Sequence, residues 1–186
     1  ETNKNGANEQ RGGEGELHVM SRDQDLHSGT VIEIFQEAAV ECGIPRRADF
    51  CDGIAEGVGW TQACIKNGRR HSAARAFIHP VKNKRSNLTV VANAQVTQRL
   101  FDQSEDEPVA NGVIYQHKGK TITAAVDREV ILTAGALRSP QLLQVSGIGE
   151  ADHLKSLGID VVADLPAVGE NLHDHPTLKV PFLLND

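Results

Sequence analysis

Small residues where an apolar run meets a helix let the backbone lie directly against a flat ligand, and Ala134-Gly135 stands at such a junction. Both residues are candidate cofactor contacts; the other use of small side chains there is close helix–strand packing. His173-Asp174-His175 sets two imidazoles beside a carboxylate, a combination used in metal binding and in proton transfer. No further ligand at a recognised spacing accompanies it, so we assign neither a metal site nor a catalytic residue. Lys66, Arg69, Arg70, His71 and Arg75 form a basic run, either a solvated face or an anion-binding surface. Gly53, Gly57 and Gly59 fit neither G-x-G-x-x-G nor the P-loop pattern, so no phosphate cradle is read there. Cys42, Cys51 and Cys64 are an odd number and read as free thiols or small buried side chains.

The elements that would position these groups follow from local pattern. Val130-Ile131-Leu132-Thr133-Ala134, short and β-branched at its start, predicts a buried strand closed by Gly135. Ser139-Pro140 predicts an N-cap with proline at the first helical position. Leu142, Leu143 and Val145 then give that helix its apolar side, and Ser146-Gly147-Ile148-Gly149 ends it. Upstream, residues 88–91 and 96–101 predict two strands. Gly112-Val113-Ile114-Tyr115 and residues 120–126 predict a hairpin turning at His117-Lys118-Gly119. Ser28 predicts the cap of a core-packing helix reaching Cys42, with Val31, Phe35, Ala38 or Ala39, and Cys42 on one face, stopped by Gly43 and Pro45. Ser72 is the expected cap of a short helix ending before Pro80, and residues 152–157 of another closed by Gly158. Val161-Val162 is an expected short strand and residues 164–169 a turn. Residues 1–16 contain a single alanine as their only hydrophobic side chain, too little burial to offset ordering entropy, so a flexible tail is expected there.

A length of 186 residues suits one ordinary core or two small ones. The formal charge of -6 gives phosphates no net attractive field, so nucleic acid is not an expected partner. No apolar run approaches the length of a membrane span. The first residues carry no secretory signal pattern, and no compartment is assigned.

Residues 135–149 match, position for position, a signature of one enzyme family: a small residue, Ser-Pro, paired aliphatics, then Ser-Gly-Ile-Gly. The match continues through 164–175 (Asp-Leu-Pro-Ala-Val-Gly-Glu-Asn-Leu-His-Asp-His) and upstream through 68–77 and 87–90. On these blocks residues 17–182 resemble the glucose–methanol–choline (GMC) flavoprotein oxidoreductases, and in particular a central section of choline dehydrogenase-like members. The resemblance implies an α/β (α+β) fold: part of an FAD-binding domain, with a β-meander at 88–127 and a strand–turn–helix at 130–149. It implies a central section over 17–175, and the start of an antiparallel substrate domain at 176–186. It implies FAD as cofactor, and hydride transfer to it from a small-molecule alcohol. In that family the valine of an Ala-x-Val segment holds the adenine through its backbone; Ala94-Gln95-Val96 matches, so Val96 joins Ala134 and Gly135 as an expected cofactor contact. The plain alternative for Val96 is a core strand residue.

The family's G-x-G-x-x-G element and its C-terminal catalytic histidine have no counterpart in these 186 residues. The chain by itself is therefore expected to bind FAD poorly and to lack turnover, with the remainder of a GMC protein as its partner. Two other readings are a cyanohydrin lyase on the same scaffold and a non-catalytic fragment or binding module.

Overall fold

In the computed structural model, which describes residues 1–21, 29–102 and 108–181, the chain divides into two compact units, Glu1–Val90 and Val91–Asp186. The architecture is mixed α/β, and the section expected over 17–175 spans parts of both units.

The first unit is held mainly by polar contacts. Strand β1 (Thr2–Asn3) runs parallel to β2 (His18–Ser21), which pairs antiparallel with β3 (Gln62–Ala63). Helix α1 (Gly29–Glu41) lies between them in sequence, and a hairpin of β4 (Ile65–Lys66) and β5 (Arg69–Arg70) follows. The flexible tail expected over residues 1–16 is not what the structure shows. Asn3 is 5% exposed, Thr2 N–H donates to the Leu17 carbonyl at 2.7 Å, and Arg11 is ion-paired with Asp49. Composition misled because it counts only apolar area, whereas this segment is anchored through hydrogen bonds to a half-buried carboxylate. Asp49 also accepts from Cys51 N–H at 2.8 Å and from Gln62 Nε2 at 2.9 Å.

That carboxylate makes the first unit sensitive to acid. Burial pushes the Asp49 carboxyl up, but Cys51 N–H, the Arg11 and Asn5 hydrogen bonds and the Arg11 charge outweigh it, leaving the pKa below the ordinary 3.8. A carboxyl depressed on folding stabilises the fold fully above its unfolded pKa, and that contribution disappears as pH falls through the lower folded value. Urea melts of Asp49→Asn and the parent chain should therefore differ fully above about pH 5 and draw together as pH falls below the ordinary 3.8. Parallel curves across that range would show that Asp49 is not the anchor.

Helix α1 also departs from expectation. Gly43 ends it with φ +86°, as expected, and the Ile44 N–H bonds the Ala39 carbonyl at 3.0 Å. Its Ser28 cap lies outside the described residues. Val31, Ile34 and Phe35 are 55–57% exposed, however, while Gln36 is buried and its Oε1 accepts from Arg46 Nη1 at 3.3 Å. A core-packing helix would bury this face, whereas more than half of each of these three side chains is open. Ser72 Oγ accepts the Arg75 N–H at 3.4 Å, but the helix that follows is a single π-helical turn, Ala74–Ile78.

In the second unit β6 (Gln95–Asp102), β7 (Val109–His117) and β8 (Lys120–Ala125) form an antiparallel meander in that order. Lys118 and Gly119, at φ +49° and +73°, make the primed turn that matches strand twist. Residues 88–91 are irregular, so β6 is an edge strand whose outer row of N–H and C=O groups pairs with no described strand.

The expected strand at 130–134 is absent: these residues are irregular and Ile131 is 75% exposed. A strand exists only through its ladder, and no described segment pairs with this one. Helix α2 (Gly135–Gln144) starts at Gly135, so Ser139 is not its cap and Pro140 lies inside it. Proline at that position leaves the Ala136 carbonyl without its i+4 donor. The chain then turns at Gly147 into β9 (Ile148–Gly149), helix α3 (Ala151–Ser156) and β10 (Ala163–Asp164), with β9 and β10 parallel. The short strand expected at Val161-Val162 forms two residues later, at Ala163–Asp164. Glu150 caps α3 by accepting from the Asp152 and His153 N–H groups. Leu154, fully buried, centres this small α/β element.

Candidate functional site

Two cavities flank the start of α2. The first, about 520 Å³, is lined by residues 94–97 of the approach to β6 and its first turn, by 131–134, and by Arg138, Gln141, Leu142 and Val145 of the helix and its end. The second, about 500 Å³, is lined by residues 134–138 together with Leu172, His173 and Asp174.

The structure thus brings Val96 and Ala134 to walls of one open cleft. Gly135 lies in the adjoining cavity, which shares Ala134 and Arg138 with the first. Gly135 sits at φ +89°, where only glycine turns without strain, and from there the chain enters α2.

The helix and the meander that carry the cleft's walls are joined through Ser146. Its buried hydroxyl donates to the Leu142 carbonyl at 2.6 Å and accepts the Arg99 N–H from the free edge of β6 at 2.9 Å. The end of α2 is thereby tied to the meander. Gln144 Nε2 ties the same helix to the Val168 carbonyl at 3.1 Å, bringing the 165–168 turn alongside. The sequence read Ser146 only as part of a helix ending; its role depends on a strand 47 residues away in the chain.

The chemistry of the first cleft is that of a binding wall. Val96, Ile131, Leu132, Leu142 and Val145 supply apolar surface, and the outer edge of β6 supplies backbone donors and acceptors. Arg138, whose Nη1 donates to Gln141 Oε1 at 2.9 Å, is the cleft's one charged side chain. Sequence reasoning passed over it, although it is the first charge after an uncharged run. No group of three or more His, Cys, Asp or Glu among the described residues could hold a metal ion. Burial, then the negative charges of Asp49 and Glu1, push the Cys51 thiol up, which keeps it protonated and a poor nucleophile.

The sequence pattern of the GMC oxidoreductases matches residues 5–177. The chain belongs to the GMC oxidoreductase family. Mitochondrial choline dehydrogenase of Mus musculus is 44% identical to this GMC chain over 170 residues, covering 91% of the chain and 27% of that enzyme. An FAD-dependent oxidoreductase from Chaetomium thermophilum superimposes with a TM-score of 0.74 at 29% identity, covering 87% of this chain and 27% of its own. Pyridoxine 4-oxidase from Mesorbium loti gives a TM-score of 0.73 at 29% identity, with 84% and 29% covered. The GMC chain spans a little over a quarter of the length of each.

No helix among the described residues is long and apolar enough to cross a membrane.

Proposed function

We propose that this chain is a section of an FAD-dependent oxidoreductase acting on CH–OH donors, and that it supplies the wall against which the adenosine end of the flavin nucleotide rests. The observation that carries this is the shared cleft of Val96 and Ala134 beside an unpaired strand edge. Adenine is flat, with an apolar face and a hydrogen-bonding edge. A cleft of about 520 Å³ with aliphatic walls, beside a strand edge that no described strand covers and where only the exposed Gln95 amide reaches the Val96 carbonyl (3.3 Å), suits both features.

Val96 would contact the adenine edge through its backbone, which needs no particular side chain. Ala134 and Gly135 keep the opposite wall low enough for close approach, and Gly135 continues the surface into the second cavity beside His173 and Asp174. Arg138 is placed to meet a negatively charged group at the mouth. When bound, the flavin supplies the hydride acceptor for the alcohol carbon. We assign none of these residues to proton transfer from the alcohol.

The exposed apolar side chains support the remainder of a GMC protein as a partner: Phe35 is 57% exposed, Leu137 69% and Leu178 88%. The chain alone is accordingly read as inactive. Its choline dehydrogenase relatives make a small alcohol such as choline the first substrate to try.

Anaerobic addition of alcohols to the flavin-loaded protein tests the reaction. Bleaching of the oxidised flavin band by choline or another alcohol is expected. An unbleached flavin, with cyanohydrin cleavage instead, would establish the lyase and overturn the oxidoreductase reading. Neither activity in the complete protein would leave it a non-catalytic module.

A further inference from the structure

The Glu1–Val90 unit carries a groove of a different kind, lined by several basic side chains instead of by aliphatic ones. The groove, of about 290 Å³, is lined by Lys66, Asn67, Arg69, Arg70, His71, Arg75 and His79. No acidic residue lines it, and none of its four Lys and Arg side chains forms an ion pair with a described residue.

Two features set it apart from an ordinary solvated face. The first is segregation: residues 57–101 contain eight Lys and Arg and no Asp or Glu, in a chain whose net charge is -6. The second is register. Lys66 stands directly opposite Arg69 across the β4–β5 hairpin, with Arg70 opposite Ile65. Like charges in directly opposed positions disfavour a strand pair, so an anion bound between them would relieve that repulsion. Asn67 and Gly68, at φ +51° and +67°, close the hairpin tightly and hold the two side chains at its tip.

His71 adds a directed donor. Its Nδ1 accepts the His18 N–H at 3.1 Å, so the proton of the neutral ring is on Nε2. The His18 and His71 rings meet edge-on at 5.4 Å, fixing the plane of the donor. Burial first, then the Lys66 and His71 charges, lower the pKa of His18, consistent with a positive local field.

We propose that this groove is a binding site for a small, multiply charged phosphate-type oxyanion, gripped by Lys66, Arg69, Arg70 and Arg75, with His71 donating through Nε2. The planar forks of three arginines match oxyanion geometry, and the volume suits one or two phosphoryl groups rather than a macromolecule. A cationic alcohol would be repelled here, so the groove is separate from the substrate chemistry proposed above. The inference does not rest on the flavin reading, and its test needs no flavin.

Isothermal titration of the full chain with inorganic diphosphate in 150 mM sodium chloride tests it. One-to-one binding is expected, weakened at least tenfold in the Arg69→Gln/Arg70→Gln double variant. The Lys82→Gln/Lys84→Gln variant removes equal charge from the same unit outside the groove and should change affinity less than twofold. Far-UV circular dichroism checks that each variant is folded, and Arg75→Gln provides a second disruption should the hairpin variant unfold. No binding at millimolar diphosphate would overturn the proposal, as would equal weakening by both double variants. Citrate binding as tightly as diphosphate would assign the groove to carboxylates instead and overturn the phosphate claim.

Discussion

Gly147→Ala should destabilise the Val91–Asp186 unit by about 2–5 kcal/mol and lower its melting temperature by on the order of 10 °C. Two costs add. At φ +87° the backbone is left-handed, which costs an L side chain about 1–2 kcal/mol. A Cβ there would also stand 2.5 Å from the Asp160 carbonyl oxygen and 2.7 Å from Val162 Cγ2. Relieving such overpacking typically costs about 1–3 kcal/mol. The neighbours have little room to move, because the Gly147 carbonyl accepts from both Val162 and Ala163 N–H groups, at 2.7 and 3.1 Å. Those bonds seed the β9–β10 pair. A melting shift below about 2 °C would show that the turn is looser than the structure has it.

The larger functional effect is expected from Ala134→Trp. Ala134 is exposed and lines both cavities, so an indole there fills the cleft without disturbing a packed core. Flavin retention by the protein should fall by about 100-fold, roughly 2.7 kcal/mol of binding free energy. Ala125→Trp is the matched control: it places the same side chain on an exposed position of β8, outside both cavities. Its flavin affinity should stay within about twofold of the parent, a difference of some 0.4 kcal/mol. Equal affinities for the two variants would remove the nucleotide from this cleft.

What the sequence disclosed depended on the range of the cause. The Lys118-Gly119 turn and the hairpin around it were legible because turn type is set by two residues. The helix before Gly158 and the stop at Gly43 were legible for the same reason. Residues 130–134 look like a strand by composition, yet a strand needs a neighbour, and pairing is not a local property. Pro140 looked like a helix start because proline is most at ease there; the chain had already begun its helix at Gly135 and carries the missing hydrogen bond inside it. The face of α1 has the right period, but period says which side is apolar and not whether anything covers it.

The site divides along the same line. Ala134 and Gly135 could be singled out from their own neighbourhood, and Val96 through the Ala-x-Val match. Arg138 carried a visible signal as the first charge of its block. Ser146 carried none, because its acceptor and donor partners meet only when the helix end reaches the meander. The polar anchoring of residues 1–16 escaped for a related reason: a hydropathy argument takes no account of a carboxylate that gathers hydrogen bonds from four residues.

The central claim is that the adenine of a flavin nucleotide lies against the free edge of β6. The most direct measurement is the separation, in a crystal structure of the flavin-loaded protein, between the adenine ring nitrogens and the backbone N and O of Val96. A distance of about 3 Å, with Ala134 facing the ring, is the expected result. An adenine seated elsewhere, with the Val96 edge in water or paired to another strand, would contradict the assignment.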